Sequence, residues 1–267
     1  GELDGWYLIA AGANQGNATP ENSFPAGAVP NFRVDSHELK SAITTGPWRA
    51  PNHNFLAFTE ESFIDQIAHE LKKDPVEFRL ELLEKARGKQ YGDVIYDVDR
   101  YKEVIRQAAQ FGKWGQHKQG ENGIYKGFGA HFSFSSYVAQ VADISIQNGK
   151  VKVHKVYCVA DCGRIINYSG AENQIEGGII DGLGHALYGE LLFEKGEAVQ
   201  KNFNTYRLMR MPDAPEIEVK FVENNYDPTG LGEPGLPPTA AALANAVFNA
   251  TGQRVKKQPF SLTQFSS

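Results

Sequence analysis

One carboxylate, Glu233, lies in a segment crowded with glycine and proline, GLGEPGLPP at residues 230–238. The flanking glycines allow a backbone to approach a bulky ligand, and the prolines stiffen the segment. A carboxylate held in such a loop, partly withdrawn from water, is suited to take a proton as a general base. A solvated loop glutamate without a chemical role would give the same letters, so the motif alone leaves both interpretations open.

A second candidate is Arg49, which stands between two prolines in TGPWRAPN at residues 45–52. A guanidinium fixed in this way can fork onto an oxyanion or a carboxylate. Its neighbour Trp48 can line an aromatic pocket or can belong to the core. The alternative for Arg49 is an ordinary surface charge.

The third candidate is Gln174 with the glycines that follow it in GAENQIEGGIIDGLGHALYGEL at residues 170–191. In a helix, Gln174, Gly178, Asp181 and Gly182 fall along one face, so an amide and an exposed backbone can meet a cofactor there. Glycine is costly inside a helix, which means that something must approach this backbone closely. Close packing of another element at Gly178 and Gly182 is the alternative explanation.

The composition limits what these residues can do. The 267 residues are 41% hydrophobic and 22% charged, as in an ordinary soluble globular protein. A net charge of −5 and the lack of a Lys/Arg run argue against nucleic acid as a partner. No apolar stretch reaches membrane-spanning length, and no secretory signal is present. The chain starts at Gly1 and has only two methionines. We therefore expect a processed subunit or an excised piece, cytoplasmic or periplasmic according to its parent.

The sequence offers no conventional metal ligands. Seven histidines are scattered without HExxH spacing, and two cysteines cannot make a four-thiolate site. Cys158 and Cys162 are too far apart along a strand-like run for an unstrained disulfide, so we expect buried thiols. We expect no metal to be held directly by side chains. P-loop, GxSxG and strand-following GxGxxG motifs are also missing.

Four helices are predicted around these candidates. The first runs from Glu60 to Leu71 with Thr59 as its cap, and its apolar face comprises Phe63, Ile64, Ile67, Ala68 and Leu71. The second starts at DPVEFRLELLEKA, with Asp74 as N-cap and Pro75 in the first turn. The others are a helix from Arg100 to Phe111, with Tyr101, Val104, Ile105 and Ala108 inward, and a closing helix after Pro237 and Pro238 that ends at Gly252.

Strand patterns complete the framework. SYVAQVADISIQ and KVKVHKVYCVAD alternate with period two around the turn NGK and predict a β-hairpin. WYLIA, NFRVD, ALYGELLFE and EIEVKFVE are further predicted strands. The fold class is α+β, with mixed or antiparallel strands, packed helices and a helical insert. We expect a first region at residues 1–122 and a second at residues 123–267, or one continuous unit.

The order of these blocks resembles a known family. GPWRAPNHN, ESFIDQIAHELKKDPVEFR, YVAQVADISIQNGKVKVHKVYCVADCG, NQIEGGIIDGLGHAL and GLGEPGLPPTAAALANAVFNATGQR resemble the molybdenum hydroxylases, the family of xanthine oxidase and aldehyde oxidoreductase. Within it, the large (β) subunits of isoquinoline 1-oxidoreductases look nearest. The resemblance covers roughly residues 28–260 and implies the C-terminal part of the molybdopterin-binding large subunit.

The resemblance also implies roles for single residues. Glu233 matches the family glutamate that acts as base on a molybdenum-bound hydroxyl. Arg49 matches an arginine beside the molybdenum pocket, with Trp48 in an adjacent pocket position. Gln174 matches a glutamine that hydrogen-bonds the pterin, and Gly232 lies close to the metal.

The implied reaction is hydroxylation of an N-heteroaromatic or aldehyde carbon, with water as the oxygen source. The implied cofactor is molybdenum–molybdopterin in a dinucleotide form, with sulfur ligands supplied by the pterin. The implied partners are the remainder of the large subunit, a two-iron two-sulfur small subunit that receives the electrons, and a small-molecule substrate.

The chain departs from the family pattern after the arginine. Ala50, Pro51 and Asn52 stand where xanthine oxidase relatives usually have Gly-Phe-Gly, so purine specificity is not carried over. Further cofactor-binding loops of the family are not found in this chain. Two alternatives to a molybdenum enzyme remain: a non-catalytic scaffold with the same fold, and a two-carboxylate hydrolase that pairs Glu233 with Asp213 or Glu216.

Overall fold

A computed structural model describes residues 2–13, 22–115 and 121–260. Its strands are β1 Gly5–Ala13, β2 Asn31–Leu39, β3 Tyr125–Ser133, β4 Ser136–Gln147, β5 Lys150–Asp161, β6 Phe193–Glu194, β7 Glu197–Ala198 and β8 Glu216–Phe221. The main sheet has the strand order β3-β4-β5-β8, in which β3, β4 and β5 are antiparallel and β8 is parallel to β5. A separate parallel pair is formed by β1 and β2, and a short hairpin by β6 and β7.

Within the described residues, five α-helices cover the two faces of the main sheet. They are α1 His53–Glu70, α2 Pro75–Arg87, α3 Val98–Phe111, α4 Tyr168–Leu187 and α5 Pro237–Thr251. Because strand residues alternate between faces, Ala139 and Val141 of β4 join the core under α1, α2 and α3. Val138 and Ala142 of the same strand join the core under α4 and α5. The α+β class with mixed strands and packed helices is confirmed, whereas the division at residue 122 stays a prediction.

The predicted hairpin is confirmed. Its strands are β4 and β5, and Asn148 and Gly149 between them both have positive φ, at 52° and 73°. This is the backbone that a two-residue hairpin turn needs, which explains the Asn-Gly sequence. Cys158 and Cys162 at the end of this hairpin are free and buried, as expected.

The predicted helices are present, but some of their starts were placed wrongly. The side chain of Asp74 caps α2 by accepting from the amides of Val76 and Glu77, as predicted. Thr59 is not a cap, because α1 already starts at His53 and the Thr59 hydroxyl donates to the Phe55 carbonyl one turn earlier. In α3, Asp97 is the cap, and the helix starts two residues earlier than expected.

The predicted buried face is confirmed for α3 but is partly wrong for α1. The four residues predicted inward in α3 are at most 1% exposed. Phe63 of α1 was wrongly placed in the buried face, since it is 48% exposed and touches the ring of Trp6 from outside. A further error concerns ALYGELLFE, which is not a strand. Ala186 and Leu187 complete the buried face of α4, and only the last two residues of this segment pair, with β7.

Helix α5 lies directly on β3. A Cβ atom added at Gly127 would come within 2.0 Å of the Ala242 carbonyl oxygen, and one at Gly129 within 2.6 Å of the Pro238 oxygen. These two glycines therefore set the distance between the sheet and the helix that follows the Glu233 loop.

Among the helices of the described residues, none combines the length and apolar character that crossing a membrane requires.

Candidate active site

The Arg49 side chain joins three segments that are far apart in the sequence. Its Nε donates to the Gly232 carbonyl at 2.6 Å, its Nη1 to Asp181 Oδ2 at 2.7 Å, and its Nη2 to the Gln174 carbonyl at 2.9 Å. The side-chain oxygen of Gln174 lies 3.3 Å from the same Nη2. The guanidinium, the amide and the Glu233 segment are thus brought to one place, as the sequence predicted.

The Glu233 carboxylate is held from the Arg49 side as well. The backbone N–H of Ala50 donates to Glu233 Oε1 at 3.1 Å. Ala50 is fully buried and has a φ of 58°, a left-handed conformation that is uncommon for a residue with a side chain. Asn54 stabilises this turn, since its side-chain Nδ2 donates to the Arg49 carbonyl and its backbone N–H donates to the Ala50 carbonyl. The turn therefore presents an amide donor to the carboxylate.

Sequence reasoning missed the residues that anchor the loop from the sheet side. Gln140 of β4 is fully buried, and its Nε2 donates to the Gly235 carbonyl at 2.8 Å. The Thr239 hydroxyl donates to Gln140 Oε1 at 2.9 Å. Ser136 at the start of β4 bonds the Gly230 carbonyl at 2.8 Å. The available signal was a glutamine in the middle of the apolar run YVAQVA of β4, because a buried amide needs hydrogen-bond partners.

The glycines of α4 serve close packing. A Cβ atom at Gly182 would lie 2.8 Å from the Thr239 Cβ, and one at Gly178 would lie 3.1 Å from the Gly235 carbonyl carbon. Helix α4 therefore approaches the start of α5 more closely than side chains allow, as the packing interpretation requires. A contact of Gly178 with a cofactor stays a prediction.

Trp48 lies beside a cavity of about 430 Å³ that adjoins the Arg49–Asp181 pair. The Trp48 indole is half exposed, and its ring centroid is 3.4 Å from that of His185. Burial lowers the pKa of His185 to about 4, against an opposing effect of the Asp181 charge, so this imidazole is neutral at pH 7. Tyr206 and Met209 also line the cavity. The cavity thus has aromatic walls and a carboxylate.

The half-buried His53 lies next to the buried His131, a pair that no sequence motif indicated. His53 Nδ1 is 2.9 Å from His131 Nε2, and the Phe134 ring packs against His53. Burial lowers the pKa of both histidines, and the charge of His53 lowers the pKa of His131 further. Both rings are therefore neutral near pH 7, with one donating a hydrogen bond to the other.

The carboxylates proposed as hydrolase partners of Glu233 have other contacts. Glu216 pairs with Lys155 at 2.7 Å, and Asp213 pairs with Arg207 at 3.4 Å. Neither contact includes Glu233, so the structure gives no support to a two-carboxylate site. Within residues 2–13, 22–115 and 121–260, no three His, Cys, Asp or Glu side chains are clustered as metal ligands would be.

The surface around Gly232 is open to a ligand. Gly232 and Gln174 are both exposed, and the atom nearest to a Cβ placed at Gly232 would be Gln174 Oε1, at 3.8 Å. The side-chain NH₂ group of Gln174 has no hydrogen-bond partner within the part of the chain that the structure describes. An amide donor, an accessible backbone and a carboxylate therefore share one surface, which suits a flat ligand with many hydrogen-bonding groups.

The chain is similar to known proteins in sequence and in structure. Residues 62–215 match the family model of the molybdopterin cofactor-binding domain. The chain is 32% identical over 239 residues to a membrane-bound aldehyde dehydrogenase (pyrroloquinoline-quinone) of Gluconacetobacter polyoxogenes, covering 85% of this chain and 31% of that protein. It is 29% identical over 237 residues to isoquinoline 1-oxidoreductase subunit beta of Brevundimonas diminuta, covering 86% of this chain and 28% of that one.

The solved structure of quinoline 2-oxidoreductase from Pseudomonas putida 86 superimposes with a TM-score of 0.71. The match covers 92% of this chain and 57% of that one at 13% identity, which is a likeness of fold alone. The chain spans about a third of the length of the curated relatives named above. The family model nevertheless covers more than half of the chain. The chain belongs to the molybdenum hydroxylase family, of which it contains a molybdopterin cofactor-binding domain.

Proposed function

We propose that this chain is part of the catalytic subunit of a molybdenum-dependent oxidoreductase, with Glu233 as its general base. The reaction we propose is hydroxylation of an N-heteroaromatic or aldehyde carbon, with water as the oxygen source. The observation that carries the proposal is the meeting of Arg49, Gln174 and the Gly232–Glu233 segment on one open surface. Family membership supplies the chemistry that this arrangement serves.

The residues present fit the cofactor. The free amide of Gln174 and the exposed backbone at Gly232 would hold a pterin, whose edge both accepts and donates hydrogen bonds. Bound there, molybdenum–molybdopterin supplies a redox centre that accepts two electrons from the substrate. We propose a dinucleotide form of this cofactor and an iron–sulfur small subunit as the next electron carrier. The remainder of the large subunit would complete the cofactor site.

The part of Glu233 in this reaction is proton transfer. Its Oε1 is engaged by the Ala50 amide, which fixes the orientation of the carboxylate. Among the described residues, no donor contacts Oε2, so this oxygen can take the proton of the attacking water-derived oxygen. A positioned carboxylate contributes about 10²- to 10⁴-fold to such a step.

The substrate class is proposed from the cavity beside Trp48. A flat ring could lie between Trp48 and Tyr206, with Met209 as an adaptable apolar contact. The relatives named above act, according to their names, on isoquinoline or on aldehydes. Both are small compounds with an electron-poor carbon.

The test is the substitution Glu233→Gln in the complete protein as purified. We expect kcat to fall by about 10²- to 10⁴-fold, because the amide keeps the shape but cannot take a proton. Molybdenum and pterin contents are measured in parallel and should match the unchanged protein. Glu172→Gln, at an exposed position of α4, is the matched control and should leave kcat unchanged. Full turnover by the Glu233→Gln protein would favour a non-catalytic scaffold instead.

A further inference from the structure

The donors of the Arg49 guanidinium are directed at the protein itself. Nε, Nη1 and Nη2 all donate to oxygen atoms of the chain, and the side chain is only 21% exposed. The charge is compensated by Asp181, whose Oδ2 is 2.7 Å from Nη1. An arginine that captured an anionic ligand would keep a pair of donors for it. This arginine is instead a cross-link between protein segments.

Two hydrogen bonds connect Arg49 and Ala50 to the Glu233 segment. The Arg49 side chain holds the carbonyl of Gly232, and the next backbone amide, that of Ala50, holds the Glu233 carboxylate. The two bonds fall on adjacent residues, so any shift of Arg49 moves both the backbone and the carboxylate of the proposed base. The location of Arg49 therefore decides that of Glu233.

Helix α4 provides the fixed platform for Arg49. The opposite side of α4 is buried through Ile175, Ile179 and Leu183, each fully inaccessible to solvent. On the facing side, a Cβ atom at Gly177 would lie 3.4 Å from Arg49 Nη1, so this glycine lets the guanidinium lie close to the helix. Asp181 supplies the only carboxylate that an ion pair of Arg49 uses among the described residues.

We infer that Asp181 is a positioning residue, which holds Arg49 on α4 and through it fixes the Glu233 carboxylate at the site. The inference rests on the proposed role of Glu233 and assigns Arg49 to the same positioning task. It also explains why an aspartate occupies the helix face that the sequence marked through Gln174. The loop is then ordered by protein contacts before any ligand binds.

The inference is tested with Asp181→Ala in the complete protein, by hydrogen–deuterium exchange and by kinetics. We expect amides in residues 48–56 and 229–236 to exchange at least about tenfold faster, because both segments lose their tie to α4. We expect kcat to fall about 10- to 100-fold with KM changed less than about threefold, since a displaced base acts on the transition state rather than on binding. Asp181→Glu, which keeps a carboxylate within reach of Nη1, should restore most of both properties.

The control is Glu172→Ala, which removes an exposed carboxylate from the same helix and should change neither exchange nor kcat. Unchanged exchange in both segments of Asp181→Ala would overturn the inference. The two proposals fail separately. If Asp181→Ala loosens the segments while Glu233→Gln retains turnover, Asp181 positions a loop that has no base. If Glu233→Gln is inactive and Asp181→Ala exchanges normally, the base stands and the positioning role is lost.

Discussion

At the residue scale, the candidate site depends on a left-handed backbone conformation that residues with a side chain rarely adopt. Ala50 and Asn52 have φ values of 58° and 66°, the left-handed region that glycine adopts most readily. These are the two positions at which the family pattern, as the sequence suggested it, has glycine. Strain of this kind persists where the surroundings impose it, here through Asn54 and the contact with Glu233.

Ala50→Val is therefore expected to be severe. A β-branched residue in this conformation adds strain, and its extra methyl groups have no space at a fully buried position. We expect the free energy of unfolding to fall by about 2 kcal/mol or more. Urea denaturation measures it. Ala50→Gly is the control and should stay within about 1 kcal/mol, because relief of strain offsets the loss of one buried methyl group. Equal stability of the valine and glycine variants would contradict this explanation.

At the scale of elements, glycines determine how closely the helices approach the sheet and one another. Gly127 brings α5 onto β3, and Gly178 and Gly182 bring α4 onto the start of α5. The Glu233 loop lies between these elements and is tied to β4 through Gln140. The position of this loop therefore depends on several close contacts between backbones, and each of these contacts tolerates little change.

Gly127→Ala tests this dependence. The added Cβ atom would meet backbone atoms of Ala242 and Ala246 at about 2 Å, so α5 must move as a whole. We expect a loss of about 1 to 3 kcal/mol in the free energy of unfolding and a fall in kcat, because α5 carries the loop with it. Thermal unfolding and a rate assay measure the two effects. Gly230→Ala, in the Glu233 loop with no atom within 4 Å of its added Cβ, should alter stability by less than about 0.5 kcal/mol. A tolerated Gly127→Ala would show that α5 can shift freely.

At the scale of the whole molecule, the two cores bury charged groups as well as apolar ones. Glu61 and Arg79 form an ion pair at 2.8 Å inside the core of α1 and α2, and Asp65 pairs with Arg254 at 2.6 Å. Glu60 is buried in the same core, and none of the described residues forms an ion pair with it. Burial, reinforced by the charge of Glu61, raises the pKa of Glu60 to about 8. Stability must then depend on pH.

The pKa of Glu60 in the folded and unfolded protein determines how the free energy of unfolding changes with pH. Its pKa is about 8 when folded and about 4.5 when unfolded, so its contribution is complete below about pH 4.5 and is lost as pH rises through 8. Glu60→Gln removes this loss. We expect the substitution to raise the free energy of unfolding at pH 8 to 9 relative to its effect at pH 5, as measured by denaturation across that range. Glu70→Gln, at an exposed position of α1, is the control and should show no such trend. A parallel pH profile for Glu60→Gln and the unchanged protein would refute a neutral buried Glu60.

The sequence by itself determined the features that have a local physical cause. Period-two alternation defined β4 and β5, the cap Asp74 defined the start of α2, and residue chemistry singled out Glu233, Arg49 and Gln174, which the fold brings together. These signals work because neighbours in the chain share backbone geometry. They failed where tertiary contacts override local preference, as at the start of α1 and in residues 186–194.

Only the tertiary structure decided which groups face one another. The Ala50 amide reaches Glu233 across 183 positions of the chain, Asp181 neutralises Arg49, and the buried amide of Gln140 holds the Gly235 carbonyl. No periodic pattern in the sequence predicts such hydrogen bonds, because each depends on the packing of whole helices and strands rather than on spacing along the chain. The same packing surrounds the Arg49 guanidinium with acceptors from other elements of the fold, namely the Gly232 carbonyl, the Asp181 carboxylate and the Gln174 carbonyl.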